Sequence, residues 1–494
     1  MPDEGPWPNS HTMSHTQDTP IAEIYQPLTQ AHHGLSGLIP LPEGRQALAA
    51  RTALAGMAVK SIDAQYYLLH NDLTGKFFIG ELMRAADRGV RIRLLVDDMA
   101  SWGQTSMAAV LSFHPNMEIR IFNPFFRGGG RWAQMVYRFG TVTRRMHNKV
   151  FIADGQAVIL GGRNIGNAYF EAHPAIEFGD LDVLAVGPVV DAVSASFDRY
   201  WNSNLAVPVE RLARKLPVQD SLETVRKSME RAIARPKNTA YVQGLCQDPI
   251  VRSILEGTLC FYWGRAQVIQ DPPEKILDPP ERQTQDLVAD RMATLFDEVR
   301  QELIIYSPYF VPGKKGADYL ISLCQRGVRV RVLTNSLAST DVALVHAGYS
   351  RYRKRLLRGG VGLYELDRVI SRRDRKAKKG KYAASKASLH TKSFVLDRRQ
   401  VFIGSLNLDP RSFVENTEIG LLMDSPEIGR DMGKWFDSNV PAIAFKLGLR
   451  KNHGVRDQIR WVKTGKTHIR DPHASALKRL WVYLLRLLPV ESQL

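Results

Sequence analysis

Two segments of the chain carry the same spacing of histidine, lysine and aspartate. A histidine with a pKa near neutrality can attack phosphorus or carry a proton, and a nearby ammonium can hold the non-bridging oxygens of a phosphodiester. One such segment supplies half of a site, whereas two supply a nucleophile, a general acid and two cationic clamps without a metal. The segments read His147-Asn-Lys149-Val-Phe-Ile-Ala-Asp154 and His390-Thr-Lys392-Ser-Phe-Val-Leu-Asp397.

A second motif follows each histidine segment at the same distance. The two segments are 390 − 147 = 243 residues apart, and the same offset relates Gly161-Gly-Arg-Asn164 to Gly404-Ser-Leu-Asn407. Two coupled motifs in one register indicate an internal duplication. The pattern therefore predicts two related halves, each carrying one histidine and one lysine.

Each histidine is expected to sit beside a carboxylate. A catalytic histidine generally needs a carboxylate on its other ring nitrogen to fix its tautomer and orientation. Asp180 and Glu418 follow the two motifs and are the candidates, with Asp182 as a nearby competitor. The alternative for Asp180 and Glu418 is that they are ordinary surface or strand-end carboxylates.

The elements that position these residues are predicted to be strands and helices in alternation. Alternate residues of a strand face one side, so His147 and Lys149 are expected to project together from a strand. The alternation predicts an α/β fold in which helices cover a sheet. The predicted strands are 62–68, 90–96, 117–122, 149–153, 157–160 and 181–186, and the predicted helices are 77–87 and 189–200.

A longer repeat supports the duplication. The stretch Arg88-Gly-Val-Arg-Ile-Arg-Leu-Leu-Val96 is echoed by Arg326-Gly-Val-Arg-Val-Arg-Val-Leu-Thr334 at an offset of 326 − 88 = 238 residues. The alternative is that two helix-to-strand junctions converged on the same residues. The predicted organisation is a flexible extension over 1–35, a first domain over 36–204, a linker or insert over 205–285, a second domain over 286–445 and a basic C-terminal segment with an amphipathic helix over 446–494.

Composition indicates a globular chain with anionic partners. The chain has 44% hydrophobic and 24% charged residues and a formal net charge of +17, which leaves nucleic acid, anionic lipid and phosphorylated small molecules open as partners. Its three cysteines lack zinc or disulfide spacing. We expect neither a signal peptide nor a membrane-spanning run, and therefore a peripheral protein on the cytoplasmic side of the membrane.

The paired histidine motifs resemble those of the phospholipase D superfamily. This resemblance implies two duplicated domains, each a mixed β-sheet flanked by helices, related by a pseudo-twofold axis and sharing one active site. It also implies that His147 is the nucleophile and His390 the general acid and base, or the reverse. The remaining roles implied by the family are phosphate binding by Lys149 and Lys392, with support from Asn164, Asn407 and Ser405, and structural roles within the catalytic motifs for Asp154 and Asp397.

Other stretches resemble bacterial cardiolipin synthases that lack an amino-terminal transmembrane pair. These are Gly37-Leu-Ile-Pro-Leu-Pro42, residues 62–67 and 71–75, and Phe178 to Pro188, and the resemblance spans about residues 36–494. It implies transfer of a phosphatidyl group from a second phospholipid to phosphatidylglycerol, giving cardiolipin, with no cofactor and no metal. The donor phospholipid, the oligomeric state and any accessory protein stay open.

Two basic segments are candidates for contact with an anionic membrane surface. Residues 476–488 alternate apolar residues with Lys478, Arg479 and Arg486, as an interfacial helix does, or as a terminal helix packed on the protein does. Residues 351–381 hold thirteen Lys and Arg against three acidic residues, which suits an anionic surface or a solvated basic loop.

Three other functions remain as alternatives. A phospholipid hydrolase would use water as the acceptor. An endonuclease is favoured by the net charge and by Arg127, Arg131, Arg144 and Arg145, but no nucleic-acid module is recognisable, so nucleic acid is not an expected partner. A non-catalytic membrane scaffold is disfavoured because both motifs are intact.

Overall fold

The computed structural model describes residues 7–101, 105–125, 143–173, 176–212, 221–278, 287–368, 386–452 and 455–487. The chain divides into two compact units, and each is described by itself. The first unit comprises Met1–Ala172, Asp182–Thr284 and Glu415–Gly420, and the second comprises His173–Leu181, Gln285–Val414 and Leu421–Leu494. Each unit therefore contains one short segment from the other half of the sequence.

The strands are numbered in chain order. They are β1 (Ser36–Leu41), β2 (Ser61–Tyr66), β3 (Arg91–Asp97), β4 (Met117–Phe122), β5 (Val150–Ala153), β6 (Ala157–Gly161), β7 (Ile176–Gly179), β8 (Asp182–Val186), β9 (Ala206–Pro208), β10 (Tyr262–Gln270), β11 (Glu302–Tyr306), β12 (Arg329–Asn335), β13 (Gly362–Leu366), β14 (Lys386–Leu389), β15 (Ser393–Leu396), β16 (Gln400–Gly404), β17 (Ile419–Asp424), β18 (Ala444–Asn452), β19 (Val455–Lys463) and β20 (Lys466–His468).

The helices are numbered in the same way, and Pro273–Ile276 and Arg411–Glu415 form single 3-10 and π turns. They are α1 (Pro20–Ala31), α2 (Gly44–Met57), α3 (Leu73–Asp87), α4 (Asp98–Ser101), α5 (Thr105–Leu111), α6 (Val189–Trp201), α7 (Val209–Leu212), α8 (Ser221–Ile233), α9 (Pro236–Cys246), α10 (Pro249–Leu255), α11 (Val288–Glu298), α12 (Gly313–Gln325), α13 (Ala343–Ser350), α14 (Arg353–Arg358), α15 (Pro426–Ile443) and α16 (Ala476–Leu485).

The sheet of the first unit is mixed and runs in the order β10-β1-β8-β6-β5-β2-β3-β4-β9. The pairs β2–β3 and β3–β4 are parallel and the other pairs are antiparallel. Every residue of β2 is buried, and so is every residue of β3 after the first. Such continuous burial is typical of parallel strands covered on both faces.

The second unit repeats this arrangement within its own sheet. Its order is β16-β15-β11-β12-β13-β18-β19-β20, again with two parallel pairs at the centre, β11–β12 and β12–β13. The pairs β2–β5 and β5–β6 correspond to β11–β15 and β15–β16. The expected α/β fold with two duplicated domains is therefore confirmed.

The predicted elements of the first half agree with the observed ones to within a few residues. The helix predicted over 77–87 is the C-terminal part of α3, and the helix predicted over 189–200 is α6. A right-handed β-α-β unit needs such a helix to connect parallel strands. The corresponding helix of the second unit, α12, follows β11 in the same way.

Three of the predicted boundaries differ from the structure. Residues 1–35 are not wholly a flexible extension, because α1 buries Ile21, Ala22 and Tyr25. For residues 205–285, predicted as a linker or an insert, the structure disagrees with the linker, because they form α7 to α10 and β10, and β10 pairs with β1. The segment 446–494 contributes β18, β19 and β20 to the second sheet in addition to its helix. In each case the segment forms elements that pack or pair with residues distant in sequence, which local composition does not reveal.

Candidate active site

His147 is held at the N-terminal end of β5 by a short parallel contact in the first unit. Its backbone N–H donates to the carbonyl of Thr417 at 2.9 Å, and the N–H of Thr417 donates to the carbonyl of Arg145 at 3.0 Å. The predicted placement of His147 and Lys149 on a strand is wrong, because β5 begins one residue after Lys149. The contact with Thr417 fixes the histidine instead.

A buried carboxylate faces His147. Nδ1 of His147 lies 2.9 Å from Oε2 and 3.1 Å from Oε1 of Glu418. Glu418 has no exposed surface, whereas the His147 side chain retains 11% exposure. A carboxylate at Nδ1 selects the tautomer that carries its proton there, so Nε2 presents its lone pair. The imidazole is thereby arranged to react through Nε2.

The backbone of Glu418 is fixed in turn by Asp271. The Glu418 N–H donates to Oδ2 of Asp271 at 2.9 Å, and the Asp271 N–H donates to the Glu418 carbonyl at 2.9 Å. Lys275 forms a buried ion pair with Asp271 at 2.8 Å. The carboxylate that orients His147 is therefore itself held by two rigid contacts.

Lys149 and Tyr67 complete the surroundings of His147. The Tyr67 ring meets the imidazole edge-on with ring centroids 5.1 Å apart, and the Lys149 ammonium lies 5.3 Å from the Tyr67 centroid. Lys149 also donates to the His147 carbonyl. A fully buried ammonium beside a histidine places positive charge where a phosphate oxygen would bind.

His390 has an equivalent setting in the second unit. Its N–H donates to the carbonyl of Gly179 at 2.8 Å, at the end of the parallel pair β7–β14. Nδ1 of His390 lies 2.5 Å from Oδ2 of Asp180, which is buried. Both histidines thus meet a carboxylate that comes from the other half of the sequence.

Lys392 lies directly against the His390 ring. Its Nζ is 2.9 Å from Nδ1 and 3.2 Å from Nε2 of His390. Burial lowers the pKa of His390, the Lys392 charge lowers it further, and Asp180 opposes both effects. The net effect is a pKa of His390 below its ordinary value, which makes the protonated ring a stronger acid.

The predicted phosphate-binding residues have contacts of their own. Asn164 accepts from the Leu68 N–H at 3.2 Å and donates to the Tyr169 hydroxyl at 3.0 Å, which braces the loop that carries Tyr67. Ser405 and Asn407 are buried, and Oδ1 of Asn407 has no hydrogen-bond partner in the described part of the chain. Phosphate binding by the three stays a prediction.

The motif aspartates tie strands together in both units. Asp154 accepts from the N–H groups of Lys60 at 2.8 Å and Ser61 at 2.9 Å. Asp397 accepts in the same way from Gln301 at 2.7 Å and Glu302 at 2.8 Å. Both aspartates have a left-handed backbone, with φ of 51° and 50°. These contacts anchor the starts of β2 and β11, which is a positioning role.

Sequence analysis missed two residues, one in each unit, that hold the backbone of the residue just before the histidine. Asp97, the last residue of β3, accepts from the N–H of Met146 at 3.0 Å. Asn335, the last residue of β12, accepts from the N–H of Leu389 and donates to its carbonyl, both at 2.9 Å. The offset 335 − 97 = 238 equals the offset between the repeats that begin at Arg88 and Arg326. Extending that repeat by one residue would therefore have identified Asp97 and Asn335 as an equivalent pair.

Comparison with known proteins places the chain in a family. The family model described as "Cardiolipin synthase, PLD-like domain" matches residues 52–201 and again residues 292–440. Cardiolipin synthase C of Escherichia coli K12 is 37% identical over 95% of this chain and 99% of its own. An uncharacterised protein of Helicobacter pylori is 34% identical over 83% of this chain and 81% of its own.

The chain belongs to the cardiolipin synthase family of the phospholipase D superfamily. It is accordingly a phospholipase D-type phosphatidyltransferase. The crystal structure of a phosphatidylserine synthase from Haemophilus influenzae covers 96% of this chain and 100% of its own with a TM-score of 0.59 and 12% identity, which supports the fold alone. In the part of the chain that the structure describes, no helix is long and apolar enough to cross a membrane.

Several other candidate residues of this cardiolipin synthase family member have structural contacts. Asp182, the competitor for the histidine-orienting role, instead forms buried ion pairs with Arg51 and Arg163. Arg144 and Arg145, which favoured nucleic acid, are both buried, and Arg145 pairs with Asp97. The other two arginines of that argument, Arg127 and Arg131, lie outside the described residues, as do residues 369–381 of the basic cluster.

Proposed function

We propose that the protein makes cardiolipin by transferring a phosphatidyl group from a second phospholipid to phosphatidylglycerol through a covalent phosphohistidine. The observation that carries the proposal is the twice-repeated group of histidine, buried carboxylate and lysine, in a chain of the cardiolipin synthase family. Both histidine groups act in one reaction, on the cytoplasmic side of the membrane and without a metal.

In the first step Nε2 of His147 attacks the phosphorus of the donor lipid. The P–N bond forms as the P–O bond to the head-group alcohol breaks, and His390 gives that alcohol a proton. Positive charge develops on His147 as it attacks, and the buried Glu418 carboxylate at Nδ1 stabilises that charge. Lys149 and Lys392 hold the non-bridging oxygens.

In the second step a hydroxyl of phosphatidylglycerol loses its proton to His390 and attacks the phosphohistidine. The P–N bond breaks, cardiolipin leaves and His147 is restored. One phosphodiester is exchanged for another, so no nucleotide is consumed. Water in place of phosphatidylglycerol would give phosphatidic acid, which is the product that a hydrolase would make.

The assignment of roles rests on the different surroundings of the two rings. Both rings meet their carboxylate through Nδ1, which leaves Nε2 free to react, so the difference lies in the lysine contacts. His390 has the Lys392 ammonium 3.2 Å from Nε2, so a proton donor stands beside the nitrogen that must exchange protons with the alcohols. This asymmetry supports His147 as nucleophile and His390 as general acid and base.

Product analysis tests the reaction. The purified protein is incubated with phosphatidylglycerol vesicles, with and without phosphatidylethanolamine, and lipids are measured by mass spectrometry. We expect cardiolipin, and a loss of at least about 10³-fold in rate for His147→Ala and for His390→Ala. Phosphatidic acid without cardiolipin would reject the transferase, and half-activity in each variant would reject a joint role for the two histidines.

Trapping the intermediate tests the roles. Phosphohistidine hydrolyses in acid, so an acid quench is unsuitable. The reaction is therefore stopped by a rapid alkaline quench, and the intact protein is analysed by mass spectrometry. We expect a phosphatidyl adduct in the wild type, none in His147→Ala, and an accumulated adduct in His390→Ala with a donor whose leaving group needs no proton. An adduct on His390 in the His147→Ala variant would reverse the assignment.

A further inference from the structure

The C-terminal helix α16 is amphipathic in an unusual way, because both of its faces carry apolar residues. One face docks on the second unit, where Val482 packs against Leu337 and Ala347 and is 5% exposed. Leu485 is partly buried against the same cluster. The hydrogen bond from the Lys478 N–H to the Ser475 side chain caps the start of the helix at 3.1 Å.

The opposite face forms an exposed apolar stripe. Of the thirteen large hydrophobic side chains that are exposed in the described chain, six lie between residues 477 and 487. Five of them recur at the three- and four-residue spacing of one helix face. We call these five the exposed stripe, and they are Leu477 (77% exposed), Leu480 (55%), Trp481 (55%), Leu484 (46%) and Leu487 (69%).

Positively charged residues predominate in the sequence around the exposed stripe. Between residues 466 and 487 there are five Lys and Arg and a single acidic residue, Asp471. That carboxylate is already paired with Arg353 at 3.0 Å. Lys478 and Arg479 donate to the carbonyls of Thr340 and Asp471 and so fix the helix on the unit. The local field therefore favours an anionic partner.

We propose that the exposed stripe inserts into the interface of an anionic phospholipid bilayer while the Val482 face stays docked on the protein. An interfacial helix requires apolar bulk on one face, basic residues beside it and aromatic residues at the boundary, and Trp481 and Tyr483 supply the last of these. Two copies of the same cationic surface would repel each other, which favours lipid over self-association.

This inference rests on the proposed function only in that it supposes a membrane substrate. Beyond the proposed function, it identifies the surface of the second unit that meets the membrane and the orientation in which that unit is held there. The helix is too short to span a bilayer, since its ten residues extend about 15 Å. It therefore lies along the surface.

Vesicle binding by the full chain tests the proposal. The probe is sedimentation with vesicles of phosphatidylglycerol and phosphatidylcholine in equal parts, and with phosphatidylcholine alone. We expect Leu480→Ser/Leu484→Ser to weaken binding to the anionic vesicles at least tenfold. The matched control is Leu255→Ser/Phe113→Ser, whose residues are 52% and 39% exposed in the first unit, and it should change binding less than twofold.

The orientation is tested by the fluorescence of Trp481. Quenching by lipids brominated along the acyl chain should be stronger in the wild type than in Trp481→Phe, and high salt should weaken vesicle binding. Equal binding by stripe and control variants overturns the proposal. The proposal is also overturned if the stripe variant has a different oligomeric state from the wild type in analytical ultracentrifugation but binds vesicles equally well. The stripe would then join two copies of the chain.

Failure of this proposal is distinguishable from failure of the proposed function. The His147→Ala protein should bind vesicles as the wild type does, because binding does not require turnover. The stripe variant should keep its activity on dispersed short-chain phosphatidylglycerol and lose at least fivefold on vesicles. An equal loss on both substrates would assign the stripe to folding and not to the membrane, and would overturn the inference.

Discussion

At the scale of single residues, the two histidines proposed to react are each positioned by a buried carboxylate. Glu418 meets His147 and Asp180 meets His390, and neither carboxylate has more than 3% of its surface exposed. An imidazole that must become charged during attack benefits from a fixed anion that water does not screen. The four residues thus form two equivalent couples.

Replacing a carboxylate by an amide should impair chemistry more than binding. Glu418→Gln and Asp180→Asn leave the shape of the site intact but remove the charge that stabilises the imidazolium, so we expect kcat to fall by about 10² to 10⁴ with little change in KM. Initial rates on vesicles measure this. Glu256→Gln, at an exposed carboxylate, is the control, and a Glu418→Gln rate within threefold of the control would refute the orienting role.

The motif aspartate is a separate case, because its contacts are with backbone. Asp154→Asn keeps a residue type that tolerates the left-handed conformation and an oxygen that can accept from Lys60 and Ser61, but it replaces the oxygen that accepts from Val59 with an amide group that can only donate. We expect the free energy of unfolding of the first unit to fall by about 1–3 kcal/mol, measured by urea denaturation. Asp297→Asn, at a 59% exposed side chain, should change it by less than about 0.5 kcal/mol. Equal stability of the two variants would argue against the anchoring role.

At the scale of elements, the ends of the parallel strands determine where each histidine lies. β3 ends at Asp97 and β12 ends at Asn335, and both residues hold the backbone of the residue before a histidine. The C-terminal ends of parallel strands meet at one edge of a sheet, which is where α/β proteins place their ligands. One difference between the two ends is the charge of Asp97.

That charge predicts a dependence of stability on pH. Burial raises the pKa of Asp97 to about 6, with the Arg145 charge opposing the shift, from 3.8 in the unfolded chain. The folded protein therefore binds more protons than the unfolded chain between pH 4 and 6, so this residue's contribution to stability decreases as pH rises through that window. The loss across the window is about 3 kcal/mol.

Comparison with Asp97→Asn isolates this contribution. Asp97 is largely protonated in the folded protein at pH 4, so the neutral variant should resemble the wild type most closely there, and the unfolding free energy of the wild type should fall relative to that of the variant as pH rises to 6. Urea denaturation at three pH values in that range measures the difference. A constant difference, or a wild type that gains stability relative to the variant as pH rises, would contradict the raised pKa.

At the scale of the whole molecule, the two halves exchange short segments. The first unit contains Glu415–Gly420 and the second contains His173–Leu181. Each segment supplies the carboxylate of the other half's histidine, so neither half of the sequence builds its own site. The exchange makes the two halves interdependent in folding as well as in chemistry.

Separate expression of the halves tests this dependence. Residues 1–284 alone lack the backbone pairing between Asp271 and Glu418 and the contact of His147 with Thr417. We expect this fragment and residues 285–494 each to be inactive and to unfold without a cooperative transition in circular dichroism. Co-expression should restore at least a tenth of the wild-type activity. A cooperative transition in the isolated first fragment, at the temperature of the intact chain, would show that the exchanged segment is dispensable.

Sequence alone determined the duplication and the α/β class, and it predicted the reactive residues, because these depend on residue type and on local periodicity. The repeated His-x-Lys spacing indicates phosphodiester chemistry, and the apolar residues of β2, β3 and β4 recur closely enough for these segments to be recognised as strands. Asp180 and Glu418 were also predicted to orient the histidines, but the prediction did not say which carboxylate meets which histidine.

Only the tertiary structure decided which carboxylate meets which histidine, because that pairing joins residues 271 and 210 positions apart. No local pattern encodes contacts at such separation, and the same holds for β10 of the supposed linker, which finds β1 across the sequence. Likewise the spacing of residues 477–487 established an amphipathic helix, but packing of Val482 on Leu337 decided which face is covered and which five side chains remain exposed.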